Sequence, residues 1–482
     1  MSTRQPNILW VCSDQQRRDT LGCYGNEFVR SPNLDRLADN AAVFDHAYVQ
    51  SPICTPSRAS FLTGRYPRTT RCRQNGQNIP EEEVLVTKLL ADAGYVCGIA
   101  GKLHLSPCHP DVCRGPERRI DDGYAVFRWS QAPGHTGCKN HHYREWLETR
   151  GGEIKKEQHP LSKWVEVGRP VEKHQTTWCC EEAMDFIRDR NDDGKPWLFS
   201  VNMFDPHHSF NPPEEYLARY VDMLDEIPLP DYVEGELNNK SPYQLVDHNG
   251  AYNGVSGFPY DEMSETDHRM VRVAYWAMCD LIDAQVGRII DLLQETGQLD
   301  NTIVIFTSDH GEMIGDNGIY LKGPYFYDAL VRVPLIVSWP GKIKAQRIPA
   351  LVEMVDLAPA LLEFAGLPVH PGMQGRSLHP ILTGEADAAH HRDDVYSEYY
   401  NAMPFHRDPT AQTTMVRTET HKLVVDHAHD TGELYDLVAD PGEHSNLWDD
   451  PGSLELKADM LVRLSHCMAR IVDPLPERIA PW

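Results

Sequence analysis

The sequence has no apolar run long enough to span a lipid bilayer, so we expect no membrane-embedded segment. The first residues, MSTRQPNILWVCSDQQ, contain only a short apolar stretch that polar residues follow directly. This pattern is poor as a secretion signal and good as a first strand. Cysteine is sparse, with 12 in 482 residues. Because no signal is seen, we expect mostly reduced thiols and a cytoplasmic protein.

Basic residues are also few, with 46 lysines and arginines against 71 acidic residues and a formal net charge of −25. Such an acidic chain disfavours nucleic acid and anionic membranes as partners. If the substrate is itself anionic, its binding site therefore needs a local cluster of cations.

The chain shows no internal repeat and no low-complexity tract, and its length is too great for one simple core. Short apolar runs alternate with longer stretches of helical period, which is typical of an α/β fold with a large, mostly parallel or mixed central sheet flanked by helices. We predict strands at 7–13, 95–101, 197–204, 302–308 and 333–339. We predict helices at 31–40, 56–63, 83–93, 174–189, 266–296 and 353–365.

The pattern of predicted secondary structure changes after about residue 385. The segments VYSEYY, TTMVRT, HKLVVDH and ELYDL are typical of short antiparallel strands, and a helix is predicted at 453–470. We therefore predict a catalytic α/β domain at 1–385 and a smaller α+β domain at 386–482. Residues 105–170 and 228–265 read as long loops, which commonly shape the mouth of a binding site.

Two polar pairs follow predicted strands directly, Asp14-Gln15 in one place and Asp309-His310 in the other. Because ligands bind at the carboxyl edge of a parallel sheet, residues this far apart in sequence can meet there. Two carboxylates, an amide oxygen and an imidazole make a plausible site for a divalent cation. A single pair is better explained as a helix or turn cap, but two pairs at matching strand ends favour a metal.

The stretch SPICTPSRASFLTGRYP predicts an unusual setting for one thiol. Thr55 is suited to cap a helix and Pro56 to be its first residue, which places Cys54 just before a helix N-terminus. The helix dipole and the nearby cation of Arg58 both favour negative charge at that point. We therefore expect Cys54 to have a role in the chemistry rather than in the core.

The residues C-T-P-S-R and A-S-F-L-T-G-R-Y-P at 54–67 resemble the signature of the formylglycine-dependent sulfatases, within the alkaline-phosphatase-like superfamily. The resemblance covers most of the chain, since N-I-L-W-V-C-S-D-Q, S-P-N-L-D-R-L-A, G-K-L-H-L, D-P-H-H-S-F, T-S-D-H-G-E and K-G-P-Y-F-Y-D follow in the family's order. The segment E-L-Y-D-L-V-A-D-P-G-E-H-S-N-L resembles the family's C-terminal domain. The resemblance implies hydrolysis of aryl or carbohydrate sulfate esters.

The resemblance also implies roles for individual residues. A maturase acting on the unfolded chain would oxidise Cys54 to formylglycine, whose hydrate is the nucleophile. The catalytic residues would be Cys54, Arg58, Lys102, His104, His207 and Lys322, with Asn78 as a polar substrate contact. The metal ligands would be Asp14, Gln15, modified Cys54, Asp309 and His310. Calcium is the ion that the family implies, although Gln15 stands where many sulfatases have aspartate, so manganese or magnesium remains possible.

Two other functions stay open at this point. Phosphonate monoester hydrolases and phosphodiesterases of the same superfamily share the Asp-Gln pair and Asn78, whereas Lys102 and His104 favour sulfate monoesters. A non-catalytic binding protein with an unmodified Cys54 is the second alternative.

A structural zinc site in the 105–142 loop is an additional feature to consider. It would draw on Cys108, His109, Cys113, Cys138, His141 and His142, whose spacings fit tetrahedral patterns poorly. The apolar tail RIVDPLPERIAPW is suited to dock on a neighbouring subunit in a homo-oligomer.

Overall fold

The protein was analysed as a computed structural model that describes residues 5–133, 141–154, 157–191, 194–406 and 410–480. Its strands are β1 Asn7–Asp14, β2 Ala42–Tyr48, β3 Val96–Gly101, β4 Tyr124–Trp129, β5 Gln158–His159, β6 Ser162–Glu166, β7 Trp197–Pro206, β8 Thr302–Ser308, β9 Arg332–Val333, β10 Leu335–Ser338, β11 Gln346–Glu353, β12 Val395–Tyr400, β13 Gln412–Arg417, β14 His421–Asp426 and β15 Thr431–Asp436. Its helices are α1 Pro32–Ala38, α2 Cys54–Thr63, α3 Pro67–Thr70, α4 Val86–Asp92, α5 His142–Thr149, α6 Gln175–Asp189, α7 Glu214–Val221, α8 Pro242–His248, α9 Glu265–Glu295, α10 Asp328–Val331, α11 Leu357–Phe364, α12 His379–Thr383 and α13 Leu454–Arg470.

The large sheet is mixed and has the strand order β11-β2-β10-β8-β1-β7-β3-β4, with β9 paired to β2. Its centre is parallel, since β1 pairs in parallel with both β7 and β8 and β3 pairs in parallel with β7 and β4. Strand β10 runs antiparallel to both of its neighbours. The central strands β1, β7 and β8 are buried along their whole length, as expected for a sheet covered on both faces. The predicted α/β class is confirmed.

The five predicted strands are all present, and the 333–339 segment is divided in two. Pro334 separates β9 from β10, because proline has no N–H to donate to the ladder. Strands β2, β4 and β11 were not predicted. Among the helices, α9 runs for 31 residues and begins with a capping box in which Ser264 and Asp267 exchange hydrogen bonds.

A smaller four-stranded antiparallel sheet, β12-β13-β14-β15, follows the large sheet in the chain. Helix α13 packs on it through a separate apolar cluster that includes Met460 and Leu464. This confirms a C-terminal part with a small antiparallel sheet; the boundary at 385/386 falls between α12 and β12 and stays a prediction. In the tail, Ile479 is 99% exposed, and docking of this tail on a second subunit also stays a prediction.

Within the described ranges, none of the helices combines the length and the apolar character that crossing a bilayer requires. Nine cysteines, Cys12, Cys23, Cys54, Cys72, Cys97, Cys179, Cys180, Cys279 and Cys467, are free thiols.

Candidate active site

The register of the two central strands brings the two predicted polar pairs together. Ser13 of β1 pairs with Ser308 of β8 in parallel, so Asp14 and Asp309 leave the sheet at the same edge. The backbone N–H of Gln15 donates to the Asp309 carboxylate at 3.0 Å, which locks the two strand ends to each other. Both carboxylates are completely buried.

Helix α2 places Cys54 at this edge, in a geometry that differs from the prediction. The helix begins at Cys54 and not at Pro56, and Ile53 precedes it. Pro56 has no N–H, Ser57 bonds back to Ile53, and the first-turn N–H of Thr55 donates to the side chain of Asn75 at 3.0 Å. Cys54 therefore lies in the first turn of a fully buried helix.

Four potential ligand atoms, from Asp14, Cys54, Asp309 and His310, lie within 4.8 Å of one another. The Cys54 sulfur is 3.1 Å from Nε2 of His310 and 3.7 Å from a carboxylate oxygen of Asp14. Nδ1 of His310 lies 2.9 Å from the carbonyl oxygen of Gly311, to which it donates in the tautomer that leaves Nε2 free for a cation. The donor set is rich in oxygen and carries two negative charges, so it fits a hard divalent ion.

Gln15 is oriented by Glu312, which the sequence analysis did not single out. The amide nitrogen of Gln15 donates to the buried Glu312 carboxylate, so the amide oxygen faces the cluster. That oxygen accepts a hydrogen bond from Nζ of Lys322 at 2.6 Å. Glu312 therefore also supplies a carboxylate just behind the position where many sulfatases have a second aspartate.

Lys102 and His104 enter the site from the loop that follows β3. Strand β3 ends at Gly101, which has φ +109 and lies so close to Asn202 that a Cβ atom would be 1.8 Å from its carbonyl oxygen. The chain then leaves the sheet, and Lys102 pairs with Asp14. Buried Glu117 holds this loop by accepting the backbone N–H groups of His104 and Leu105, each at 2.8 Å.

Cations dominate the electrostatics around the nucleophile. Burial alone raises the pKa of Cys54, but Lys102, Lys322 and His310 outweigh it and hold this pKa well below its usual range. Burial and the charge of Lys102 lower the pKa of His104, so its imidazole is neutral and able to accept a proton. The local cation cluster that an anionic substrate would need is therefore present.

Arg58 lies behind the nucleophile rather than in front of it. Its Nε donates to Asp309 at 2.8 Å and its Nη1 donates to the carbonyl oxygen of Lys102 at 2.7 Å. The side chain is fully buried and does not line the cavity over Cys54. Arg58 thus holds Asp309 and the Lys102 loop in place from behind the cavity, and its Nη2 has no hydrogen-bond partner in the described residues.

A cavity of about 520 Å³ opens over Cys54 and is lined by Lys102, His104, His207 and Lys322 among others. Nδ1 of His207 lies 2.6 Å from the carbonyl oxygen of His208, so the Nε2 edge of its ring is the free one. Burial and Lys322 lower the pKa of His207 to about 4. The His207 imidazole is therefore neutral, and Lys322 lines the same cavity.

The structure does not bring Asn78 to this cavity. The chain turns between Gln74 and Gln77, which places Asn75 and Gly76 on the cavity wall and leaves Asn78 exposed to solvent. Asn75 therefore lines the cavity where Asn78 was expected, with its side chain bonded to the N–H of Thr55 and to the sulfur of Met403.

Tyr252 is a lining residue that the sequence analysis placed only within a long loop. Its ring stacks on Phe405 with centroids 5.2 Å apart, and its hydroxyl is buried without a hydrogen-bond partner in the described residues. A buried hydroxyl of this kind is available to a ligand. The sequence pointed to Tyr252 only in that it lies in the 228–265 segment, which was expected to shape the mouth of the site.

The predicted alternative of a zinc site in the 105–142 loop finds no support in the described residues. Cys138 lies outside them, and the other five form no group of three ligand atoms. His141 and His142 are instead used to accept hydrogen bonds from the backbone N–H groups of Gln131 and Trp129.

Comparisons with known proteins agree with this arrangement. A family model described as Sulfatase matches residues 6–367, and one described as N-sulphoglucosamine sulphohydrolase, C-terminal, matches 315–470. An arylsulfatase of Clostridium perfringens is 30% identical over 456 residues, covering 92% of this chain and 90% of the relative. An N-acetylglucosamine-6-O-sulfatase of Bacteroides thetaiotaomicron is 26% identical over 529 aligned positions, covering 98% and 88%. The solved structure of a phosphonate monoester hydrolase from Silicibacter pomeroyi matches with a TM-score of 0.81 at 24% identity, covering 97% and 95%, which is a likeness of fold.

Proposed function

Because this chain belongs to the sulfatase family of sulfuric ester hydrolases, we propose that it hydrolyses aryl or carbohydrate sulfate monoesters with Cys54 as formylglycine. The observation that carries the proposal is the position of Cys54 between a carboxylate-rich cluster and two lysines at the base of a cavity. One hydroxyl of the formylglycine hydrate attacks sulfur and displaces the ester oxygen. The second hydroxyl then loses its proton, which re-forms the aldehyde and breaks the carbon–oxygen bond to sulfate. A maturase must therefore have acted on Cys54 before the enzyme turns over.

A divalent ion, calcium in the first place, fits between Asp14, Gln15, Asp309, His310 and modified Cys54. Carboxylate and amide oxygens are calcium's usual ligands, whereas the imidazole keeps manganese and magnesium as alternatives. The bound ion would supply Lewis-acid activation of the nucleophilic hydroxyl and offset the charge of the cluster.

Lys102 and Lys322 are placed to hold the sulfate. Nζ of Lys322 lies 3.1 Å from the Cys54 sulfur, and Lys102 approaches from the side of Asp14. Two ammonium groups around the transferring group stabilise the charge of the transition state in a buried, preorganised site.

Proton transfers fall to the two histidines on the cavity wall. Nε2 of His207 would take up a proton from the ammonium group of Lys322 and pass it to the departing ester oxygen as the S–O bond breaks. Neutral His104 would then accept the proton of the second hydroxyl as sulfate leaves. Both imidazoles lie within hydrogen-bonding reach of the Cys54 side chain.

Replacing Glu312 with alanine should weaken binding of the divalent ion by about 10- to 100-fold, because the Gln15 amide then loses the partner that fixes its orientation. Calorimetric titration with calcium measures the change. The exposed Glu295→Ala variant serves as the control and should bind calcium as the unaltered protein does. Equal affinities in both variants would remove Glu312 from the metal site.

Hydrolysis of phosphonate monoesters is the second candidate, favoured by the Asp14-Gln15 pair and the shared fold. The pairing of Lys102 with Asp14 and the position of His104 favour sulfate. We expect 4-nitrophenyl sulfate to be hydrolysed faster than the 4-nitrophenyl ester of phenylphosphonate by enzyme co-expressed with a formylglycine-generating maturase. The reverse order would assign the phosphonate activity instead.

Mass spectrometry of the Cys54 peptide tests the alternative of a non-catalytic binding protein. Finding the aldehyde in place of the thiol excludes that alternative.

A further inference from the structure

The cavity over Cys54 continues into a region that the proposed chemistry does not use. We call it the distal wall and define it by Gln131, Glu166, Arg169 and Asn211, which all line the cavity. Glu166 is the last residue of β6, and the other three residues follow β4, β6 and β7. The candidate metal ligands, Lys102 and Cys54 instead lie at or just after the ends of β1, β3 and β8 and in α2, and Lys322 lies in the loop before α10. No hydrogen bond between described side chains connects Arg169 with Cys54.

Arg169 carries a positive charge that the described residues do not neutralise. Its Nε donates to the carbonyl oxygen of Glu153 at 3.3 Å, and its guanidinium lies beside the hydroxyl of Tyr143. Both of these partners are uncharged, and no carboxylate of the described residues is within ion-pairing distance. A half-buried guanidinium that is held in place but lacks an anionic partner is suited to bind a carboxylate or a sulfate of a ligand.

The distal wall also offers acceptors for hydroxyl protons. Gln131 is 5% exposed and is anchored by its backbone N–H, which donates to His141 at 3.2 Å. Its side-chain oxygen Oε1 is buried and accepts no hydrogen bond in the described residues. The carboxylate of Glu166 forms no ion pair there either. Buried polar atoms are rarely left without partners, so the Gln131 oxygen indicates a ligand that donates a hydrogen bond, such as one with hydroxyl groups. The half-buried Glu166 carboxylate is a second acceptor on the same wall.

We propose that the distal wall binds a second anionic group of the substrate at Arg169 while Gln131 and Glu166 accept hydrogen bonds from its hydroxyl groups. The substrate is then a sulfate ester of a carbohydrate that carries a further sulfate or a carboxylate. This inference rests on the proposed function, because the ester to be cleaved occupies the same cavity above Cys54.

The test compares hexose and disaccharide 6-sulfates in matched pairs, with and without a second sulfate or a uronate carboxylate. Inhibition constants against 4-nitrophenyl sulfate hydrolysis are measured for the active enzyme. Calorimetry on the Cys54→Ala variant measures the same preference without turnover. If the active enzyme cleaved no sulfate ester, the proposed function would be overturned. The binding preference measured by calorimetry would still show whether the distal wall binds a second anionic group. The two kinds of pair distinguish a sulfate from a carboxylate as the second anion.

We expect at least one pair in which the dianionic member binds about tenfold more tightly, the low end for a charged hydrogen bond. Arg169→Ala should bring this ratio close to one, and Arg169→Lys should keep part of it. Arg150 is the matched control, since it stacks on Trp146 and pairs with Glu181 away from the cavity, and Arg150→Ala should leave the ratio unchanged. Equal affinities within every pair, or a ratio that survives Arg169→Ala, would overturn the proposal.

Discussion

Replacing Cys54 with alanine should lower the rate of sulfate ester hydrolysis by roughly 10⁴-fold or more, because the alanine methyl group cannot be converted to an aldehyde hydrate and offers no nucleophilic hydroxyl. The Lys102 and Lys322 ammonium groups remain in place, so the variant should still bind sulfate esters. The measurement is the steady-state release of 4-nitrophenol from 4-nitrophenyl sulfate, together with calorimetric binding of the same ester. Multiple turnover at the unaltered rate would refute the role of Cys54.

Cys54→Ser sharpens this result, since a serine has one hydroxyl and lacks the second through which sulfate is released. We expect at most one turnover per enzyme molecule and a sulfate adduct on the peptide, detected by mass spectrometry. Cys180→Ala is the control, because Cys180 is equally buried but lies in α6 away from the cavity. This control should lose stability and keep its kcat.

The group of candidate metal ligands could be predicted from the sequence because its position depends on regular secondary structure. Asp14 and Asp309 directly follow two apolar strands, and parallel pairing of those strands brings both carboxylates to one edge whatever the loops do. Cys54 could be added only through the resemblance of its signature, since nothing in the spacing between residues 14 and 54 predicts that α2 reaches this edge.

The residues that the sequence placed wrongly or missed lie in loops. Asn78 was predicted to contact the substrate, but Asn75 lines the cavity, because a turn of a few residues decides which side chain faces it. Arg169 lies between β6 and α6 and Tyr252 between α8 and α9, in connections whose paths have no periodic pattern to predict them. Glu312 follows Asp309 and His310 closely, but only the three-dimensional contact with Gln15 shows what it does.

The start of α2 shows the same limit on a smaller scale. Proline at the first helical position is a sound general rule, and it predicted a helix that begins at Pro56. The side chain of Asn75, twenty residues on, supplies the acceptor that the first turn requires, and the helix extends back to Cys54. Local rules therefore identified the helix, whereas a tertiary contact fixed its first residue.

Replacing His207 with alanine should reduce kcat by about 10²- to 10⁴-fold for alkyl and sugar sulfates and far less for 4-nitrophenyl sulfate. A poor leaving group needs a proton as the ester bond breaks, whereas 4-nitrophenolate leaves without one. The free Nε2 edge of His207 belongs to a side chain that lines the same cavity as Lys322, so a proton from the ammonium group could reach the departing oxygen through the imidazole. The slope of log kcat against leaving-group pKa, measured over a series of aryl sulfates, should become steeper in the variant.

The slope separates a proton donor from a residue that only shapes the cavity, because a lost shape would lower all rates by a similar factor. His268→Gln is the control, since His268 is also buried but binds the hydroxyl of Tyr320 at 2.6 Å away from the nucleophile. Its slope should equal that of the unaltered enzyme. If His207→Ala lowers the rates of activated and unactivated esters equally, His207 does not protonate the leaving group, and Lys322 alone would have to carry that proton.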